Sequence, residues 1–141
     1  MQAQETRIRV RYAETDQMGI VHHANYLVWM EVGRVAYCQA CGFDYKQMEL
    51  EDGIFLAVAE VQCRYASPAR FDEEVAVQTW VEHVNPRMVT FAYEMRLAQD
   101  GRKVATGETK HVFLGRDLLP CKLPLKYLTM FGPAKRQGEA K

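Results

Sequence analysis

This chain predicts a single α+β domain in which a five-stranded antiparallel sheet wraps around one long central helix. Three observations carry that expectation. An alternating strand opens the chain, a long apolar segment with helical spacing follows, and four strand-like segments with hairpin-length connections come last. A length of 141 residues fits one domain with a substantial core. No internal repeat, low-complexity stretch or linker divides it, so residues 1–141 read as one unit. The polar stretch 132–141 is expected to fray.

Residues 6–13 alternate, with Ile8, Val10 and Tyr12 on one side and Arg7, Arg9 and Arg11 on the other, as in a strand with one solvated face. From Ala24 the period changes. Leu27, Met30, Arg34, Tyr37 or Cys38, and Cys41 recur at helical spacing, with Val28, Val32 and Val35 as a second apolar row. Two rows predict a helix over about 24–41, buried around more than half its circumference. Asn25 is the candidate N-cap and Gly42 the C-terminal glycine. The strand-like segments are 54–65, 74–84, 88–98 and 102–114, separated by Ser67-Pro68 and Asp72, by Asn85-Pro86, and by the hairpin signal Asp100-Gly101. Val89, Phe91, Tyr93, Met95 and Leu97 alternate clearly, whereas the run 55–61 is apolar on both faces and predicts a central, doubly covered strand. A second apolar sheet face would call for a partner subunit.

The formal net charge is +0, so no global field draws this protein to nucleic acid or to an anionic membrane. No apolar run reaches the roughly 18 residues of a membrane span. The N-terminal residues lack a basic stretch followed by an apolar one, which leads to the expectation of a cytoplasmic protein with free thiols. Cys38 and Cys41 form a C-x-x-C, yet no second pair follows and both fall within the apolar helical pattern. They are read as buried side chains, with no metal site expected.

The chemically informative stretch runs from Arg11 to Tyr26, where a short carboxylate, a glycine, two imidazoles and a helix start lie together. Unpaired N–H groups at a helix start can hold an oxyanion, and a carboxylate on the preceding loop can attack an acyl carbon or activate water. Asp16 is the candidate for that carboxylate, although an aspartate also suits a turn. His22 and His23 also fit surface or capping positions, Glu31 a structural ion pair, and Tyr12 and Tyr26 core or interface aromatics. Neither G-x-S-x-G, G-x-G-x-x-G nor G-x-x-x-x-G-K-[ST] occurs, so serine-hydrolase and nucleotide chemistry lack sequence support.

The run Arg-Tyr-x-Glu-Thr-Asp-x-x-Gly-x-Val-x-His-x-Asn-Tyr-Leu, continuing to Glu31, resembles the start of hotdog-fold acyl-CoA thioesterases. The likeness is to the 4-hydroxybenzoyl-CoA thioesterase family, particularly its YbgC-type branch. It extends along nearly the whole chain and includes Tyr65-Ala66-Ser67-Pro68-Ala69-Arg70-Phe71-Asp72. The resemblance implies a hotdog domain that hydrolyses an acyl- or aroyl-CoA to free acid and CoA. It matches Asp16 to the catalytic carboxylate, His23 to a site histidine and, through its backbone N–H, the oxyanion donor, and Tyr12 to a tyrosine beside them. Gly19 would let the loop approach the thioester, and Tyr26 and Glu31 fall within the matched stretch. His22 stands where relatives more often carry an aromatic residue, which implies an imidazole lining the acyl pocket. Homodimers or homotetramers with active sites between subunits are implied, and no cofactor, since coenzyme A belongs to the substrate.

The CoA phosphates require local cations in a neutral chain, and Arg64, Arg70, Lys110 and Arg116 are the candidates, ahead of Arg87 and Lys122. Three rival readings stand beside this one. A carrier-protein thioesterase would bind an acidic donor in a salt-sensitive way. A hotdog hydratase would add water to an enoyl-CoA. A non-catalytic acyl-CoA sensor would bind without turnover.

Overall fold

The computed structural model describes residues 3–42 and 45–131, so the expected frayed tail at 132–141 lies outside the described residues. Five strands form one antiparallel sheet: β1 (Gln4–Arg9), β2 (Phe55–Tyr65), β3 (Glu74–Asn85), β4 (Met88–Leu97) and β5 (Lys103–Leu114), in the order β1-β3-β4-β5-β2. The long helix α1 (Asn25–Ala40) packs on β1, β3 and β4. The expected α+β architecture is therefore present, and each of the last four strands lies within about a residue of its expected bounds. Register shifts at Val58/Glu60, Val81/His83 and Met95/Arg96 mark bulges, which bend and twist strands and so help a sheet curve round a helix.

Tight turns join β3 to β4 and β4 to β5 in the middle of the sheet. Asn85 Oδ1 accepts the N–H groups of Arg87 (2.8 Å) and Met88 (3.0 Å) between β3 and β4. Asp100 caps Arg102 N–H at 2.9 Å, beside Gly101 at φ +75°, between β4 and β5. Two short helical pieces escaped the periodicity reading because neither is long enough to show a period: α2 (Tyr45–Gln47), which runs into a wide turn at Met48–Asp52, and α3 (Leu125–Phe131). Phe131 of α3 is fully buried, its ring centroid 5.9 Å from that of Phe91.

The helix is seated by one face. Tyr26, Trp29, Met30, Gly33, Arg34, Tyr37 and Cys38 are buried, a stripe at three- and four-residue spacing. Gly33 sits directly over the sheet: a Cβ there would collide with Thr79 Oγ1 and come within 3.2 Å of Val77 Cγ1. Leu27, Val28 and Val32 are exposed, which corrects the expectation of a helix buried over more than half its circumference. Spacing shows which residues share a face; it does not show whether this chain has anything to lay against that face.

Three further expectations are corrected. Strand β2 is an edge strand with Val58, Val61 and Tyr65 exposed, whereas β4 is the central strand buried on both faces. β1 ends at Arg9, and Tyr12 enters a 3₁₀ turn (Tyr12–Glu14) that removes it from the Ile8–Val10 row. Asn25 does not cap α1: the residue before the helix is Ala24, and Asn25 Nδ2 donates to the Glu14 carbonyl at 2.9 Å. Gly42 follows the helix at φ +107°, the left-handed position expected of it.

All four cysteines are free, and burial pushes the Cys38 thiol far up, so the C-x-x-C behaves as packing. No helix among the described residues is long and apolar enough to cross a membrane. Gly33→Ala is expected to push α1 off the sheet and to cost about 1–3 kcal/mol, as overpacked cores do. Urea unfolding would report it as a lower midpoint at unchanged slope.

Candidate active site

The loop between the 3₁₀ turn and α1 is a small hairpin. Thr15 and Val21 form an antiparallel bridge, Asp16 N–H donates to the Ile20 carbonyl (2.8 Å), and Gly19 N–H donates to the Asp16 carbonyl (2.9 Å). Gly19 holds φ +82°, a conformation that favours glycine, and a Cβ there would meet nothing within 4 Å, so the requirement is conformational and not steric. One Asp16 carboxylate oxygen, Oδ1, accepts the Met18 N–H at 2.8 Å, which fixes the side chain at the loop tip. The far arm docks on the β2–β3 connection through the Ile20–Arg70 bridge and Val21 N–H to the Ala69 carbonyl (2.9 Å).

Glu14 joins this loop to the helix. It is 4% exposed, and its carboxylate accepts the backbone N–H of Arg11 and the indole N–H of Trp29, each at 2.8 Å. Arg11 Nη2 lies 3.5 Å away. The Glu14 carbonyl accepts His22 N–H (2.8 Å) as well as the Asn25 amide. Burial acts to raise the Glu14 carboxyl pKa, but the bonds from Arg11 and Trp29 outweigh it, and the net shift is downward.

At the start of α1 the His22 carbonyl accepts Asn25 N–H (2.9 Å), and the His23 carbonyl accepts Tyr26 N–H (3.4 Å) and the Tyr65 hydroxyl (3.1 Å). The His23 backbone N–H enters no hydrogen bond among the described residues. Tyr65, held beside Tyr26 and His23 at ring distances of 5.3 and 6.3 Å, has its hydroxyl pushed up to about 12 by burial and the neighbouring Cys63. It therefore stays a donor at neutral pH. These groups line a mostly apolar cleft of about 320 Å³ formed by Asp16, Met18, Ile20, Val21, His23 and Tyr26 with the Tyr65–Pro68 segment.

The structure thus brings Asp16, His23 and Tyr26 to one cleft, with Gly19 shaping the loop that carries Asp16. His22 lies outside the cleft wall, stacked 4.4 Å from His23 with Nδ1 toward Ala24 N–H. Tyr12 is 77% exposed and packs edge-on against Phe71, away from the cleft. Glu31 is exposed on α1 and is not part of the wall. The proposed cations do not form one patch. Arg64 lies on the outer sheet face with Trp80 and Lys103, Lys110 approaches Glu60 at 3.8 Å, and Arg116 Nη2 binds the Leu50 carbonyl at 3.0 Å. Arg87 and Lys122 share another surface, and only Arg70, bridged to Ile20, borders the cleft.

Sequence reasoning missed Glu14, Tyr65 and Arg102, whose Nη1 holds the Pro68 carbonyl at 3.1 Å. Glu14 and Tyr65 stood inside the two quoted motifs, and that was their only sequence signal.

Because the Glu14 pKa is lower folded than unfolded, its stabilisation is full above the unfolded value of about 4.3 and is lost as pH falls through the folded one. Glu14→Gln leaves one buried donor unmatched and should cost about 1–3 kcal/mol at neutral pH. The gap between wild type and variant in urea midpoint should shrink as pH drops below about 4.

Comparison with known proteins agrees with the fold. A family model described as the thioesterase-like superfamily matches residues 10–126. YneP of Bacillus subtilis, a candidate acyl-CoA thioesterase, is 45% identical over 95 residues, covering 67% of this chain and 68% of YneP. The acyl-CoA thioesterase YbgC of Haemophilus influenzae is 30% identical over 93 residues, 66% of this chain and 67% of that protein. The crystal structure of DHNA-CoA thioesterase from Staphylococcus aureus superposes with a TM-score of 0.83 at 35% identity, covering 87% of this chain and 82% of the other. The chain belongs to the thioesterase-like superfamily and carries the hotdog fold of its thioester hydrolases.

Proposed function

We propose that this protein hydrolyses an acyl- or aroyl-CoA thioester to free acid and CoA, with Asp16 as nucleophile or general base. The observation that carries the reading is the meeting, in one apolar cleft, of a carboxylate fixed at a loop tip and a helix start where the His23 N–H enters no hydrogen bond among the described residues. The apolar wall suits an acyl group, and the names of the acyl-CoA thioesterase relatives support the CoA donor. In the reaction a water deprotonated by Asp16 attacks the thioester carbon, or the Asp16 carboxylate attacks it to form a mixed anhydride that water hydrolyses in a second step to free acid and Asp16. The carbonyl oxygen gains negative charge against the His23 N–H, the C–S bond breaks, and the CoA thiolate takes up a proton. The His23 imidazole orients water, and Arg70, whose backbone borders the cleft, is the cation assigned to a phosphate.

Thiol release over a panel of acyl-CoAs tests this with wild type and Asp16→Asn in parallel. Asp16→Asn should fold normally and lose roughly a thousandfold in kcat, about 4 kcal/mol of transition-state stabilisation. Near wild-type turnover by the variant would end the assignment. Release from an acyl-carrier protein with none from CoA would move the donor to the carrier.

The same reading makes the working unit a homodimer or homotetramer. Support comes from the exposed edge of β2 at Val58 and Val61 and the exposed Leu27, Val28 and Val32 of α1. Val61→Lys alters an exposed side chain, so the fold should tolerate it. Sedimentation should then show a smaller species with at least about tenfold lower thiol release. A wild type that sediments as an active monomer would refute the assembly.

A further inference from the structure

We propose that Glu14 is a positioning residue whose carboxylate and carbonyl fix the peptide joining His22 to His23, so that the His23 N–H is held outward as the oxyanion donor. The inference rests on the hydrolytic reading above and extends it to a residue that does not touch substrate.

In a trans peptide the carbonyl and the N–H point opposite ways. The His22 carbonyl is taken by Asn25 N–H at 2.9 Å, so the His23 N–H faces back off the helix start. The orientation of that plane is set from one carbonyl oxygen. Glu14 O accepts His22 N–H at 2.8 Å just before the peptide and Asn25 Nδ2 at 2.9 Å just after it. That oxygen is itself immobilised through its own side chain. The carboxylate is tied to Arg11 N–H and, one turn into α1, to Trp29 Nε1, each at 2.8 Å. Loop and helix are thereby locked in one register around the donor peptide. If the peptide rotated, the His22 carbonyl would turn outward in place of the N–H and meet the developing oxyanion with a like partial charge. Glu14 is almost fully buried and lies outside the cleft wall, so its influence passes through this peptide. An oxyanion exists only in the transition state, so loss of the positioning should lower kcat and leave KM nearly unchanged.

Two variants and a control test this. Glu14→Gln offers one acceptor and one donor where two N–H groups must be accepted. Asn25→Ala removes the amide bond to Glu14 O without touching the buried carboxylate, and decides the matter alone if the first variant does not fold. Below their melting temperatures both should lose about 10- to 100-fold in kcat with KM within about threefold, the size seen when oxyanion donors are impaired. Val89→Ala, buried in the core beside the β3–β4 turn and outside the cleft wall, should lose stability and keep wild-type kcat. Unchanged kcat in the folded variants, a loss confined to KM, or an equal kcat loss in Val89→Ala would overturn the proposal. A readout independent of turnover accompanies these assays. The His23 amide should give one sharp ¹⁵N–¹H cross-peak in wild type and a shifted or exchange-broadened one in both variants. An unchanged cross-peak refutes the positioning role even if Asp16→Asn abolishes hydrolysis. A wild type without thiol release refutes the hydrolytic reading and leaves the cross-peak to decide the fixation of the peptide.

Discussion

The seat of α1 on the sheet at Gly33 is the constraint on which the rest of the molecule depends. Because Gly33 has no side chain, the helix descends until its backbone nearly meets Thr79, and Trp29, Met30 and Tyr37 sink to full burial beside it. Gly107 of β5 plays the matching part below, where the Met30 side chain fills the space a Cβ would take. With the helix axis fixed at this depth, its first turn comes to rest against the 3₁₀ turn and the β2–β3 connection. There Trp29 can reach the Glu14 carboxylate and Tyr65 can reach the His23 carbonyl. The cleft exists because the helix lies that low.

The same depth buries an arginine. Arg34 Nε and Nη1 donate to the hydroxyls of Tyr45 (2.9 Å) and Tyr93 (3.1 Å), and Tyr93 in turn meets Thr109 Oγ1 at 2.6 Å. Thr109 Oγ1 also lies 2.8 Å from His111 Nε2. Burial, with the charge of Arg34 second, lowers His111 to about 3, so the imidazole remains neutral and the guanidinium is the one charge in this network. The chain of hydroxyls spreads the charge across α1, α2, β4 and β5, and among the described residues His111 Nδ1 is the one buried atom of the network left without a hydrogen bond. The network therefore ties the middle of the helix to the central strands, as Glu14 ties its start to the loop.

Much of this was legible in the sequence, for reasons visible in particular residues. Turn chemistry at Asn85-Pro86 and Asp100-Gly101 fixed the strand boundaries, and Gly42 marked the helix end. What could not be read was which face meets what. Leu27, Val28 and Val32 form a row as apolar as the buried one, yet they stay exposed among the described residues. Residues 55–61 suggested the middle of the sheet for the same reason, and the strand lies at the edge. Tyr12 left its strand because local bonds around Glu14 outweighed continued alternation. Glu14 was invisible because a glutamate in a polar run reads as solvated. Its burial depends on an indole 15 positions further on, a contact that only the fold creates.

The exposed rows and the cleft meet at one side chain. Tyr65 ends β2, with half its surface open at the sheet edge, and it also walls the cleft and holds the His23 carbonyl. On the proposed reading, a second copy that covers Val58 and Val61 would also close over Tyr65. Tyr65 would then lose its water, and its bond to the helix start would strengthen as the local dielectric falls. The scatter of Arg64, Lys110 and Arg116 across one chain fits the same view, because a CoA moiety lying across two copies need not find its cations on one. Assembly and the geometry of the oxyanion donor would then be coupled through a phenol at the subunit edge, with no moving part required.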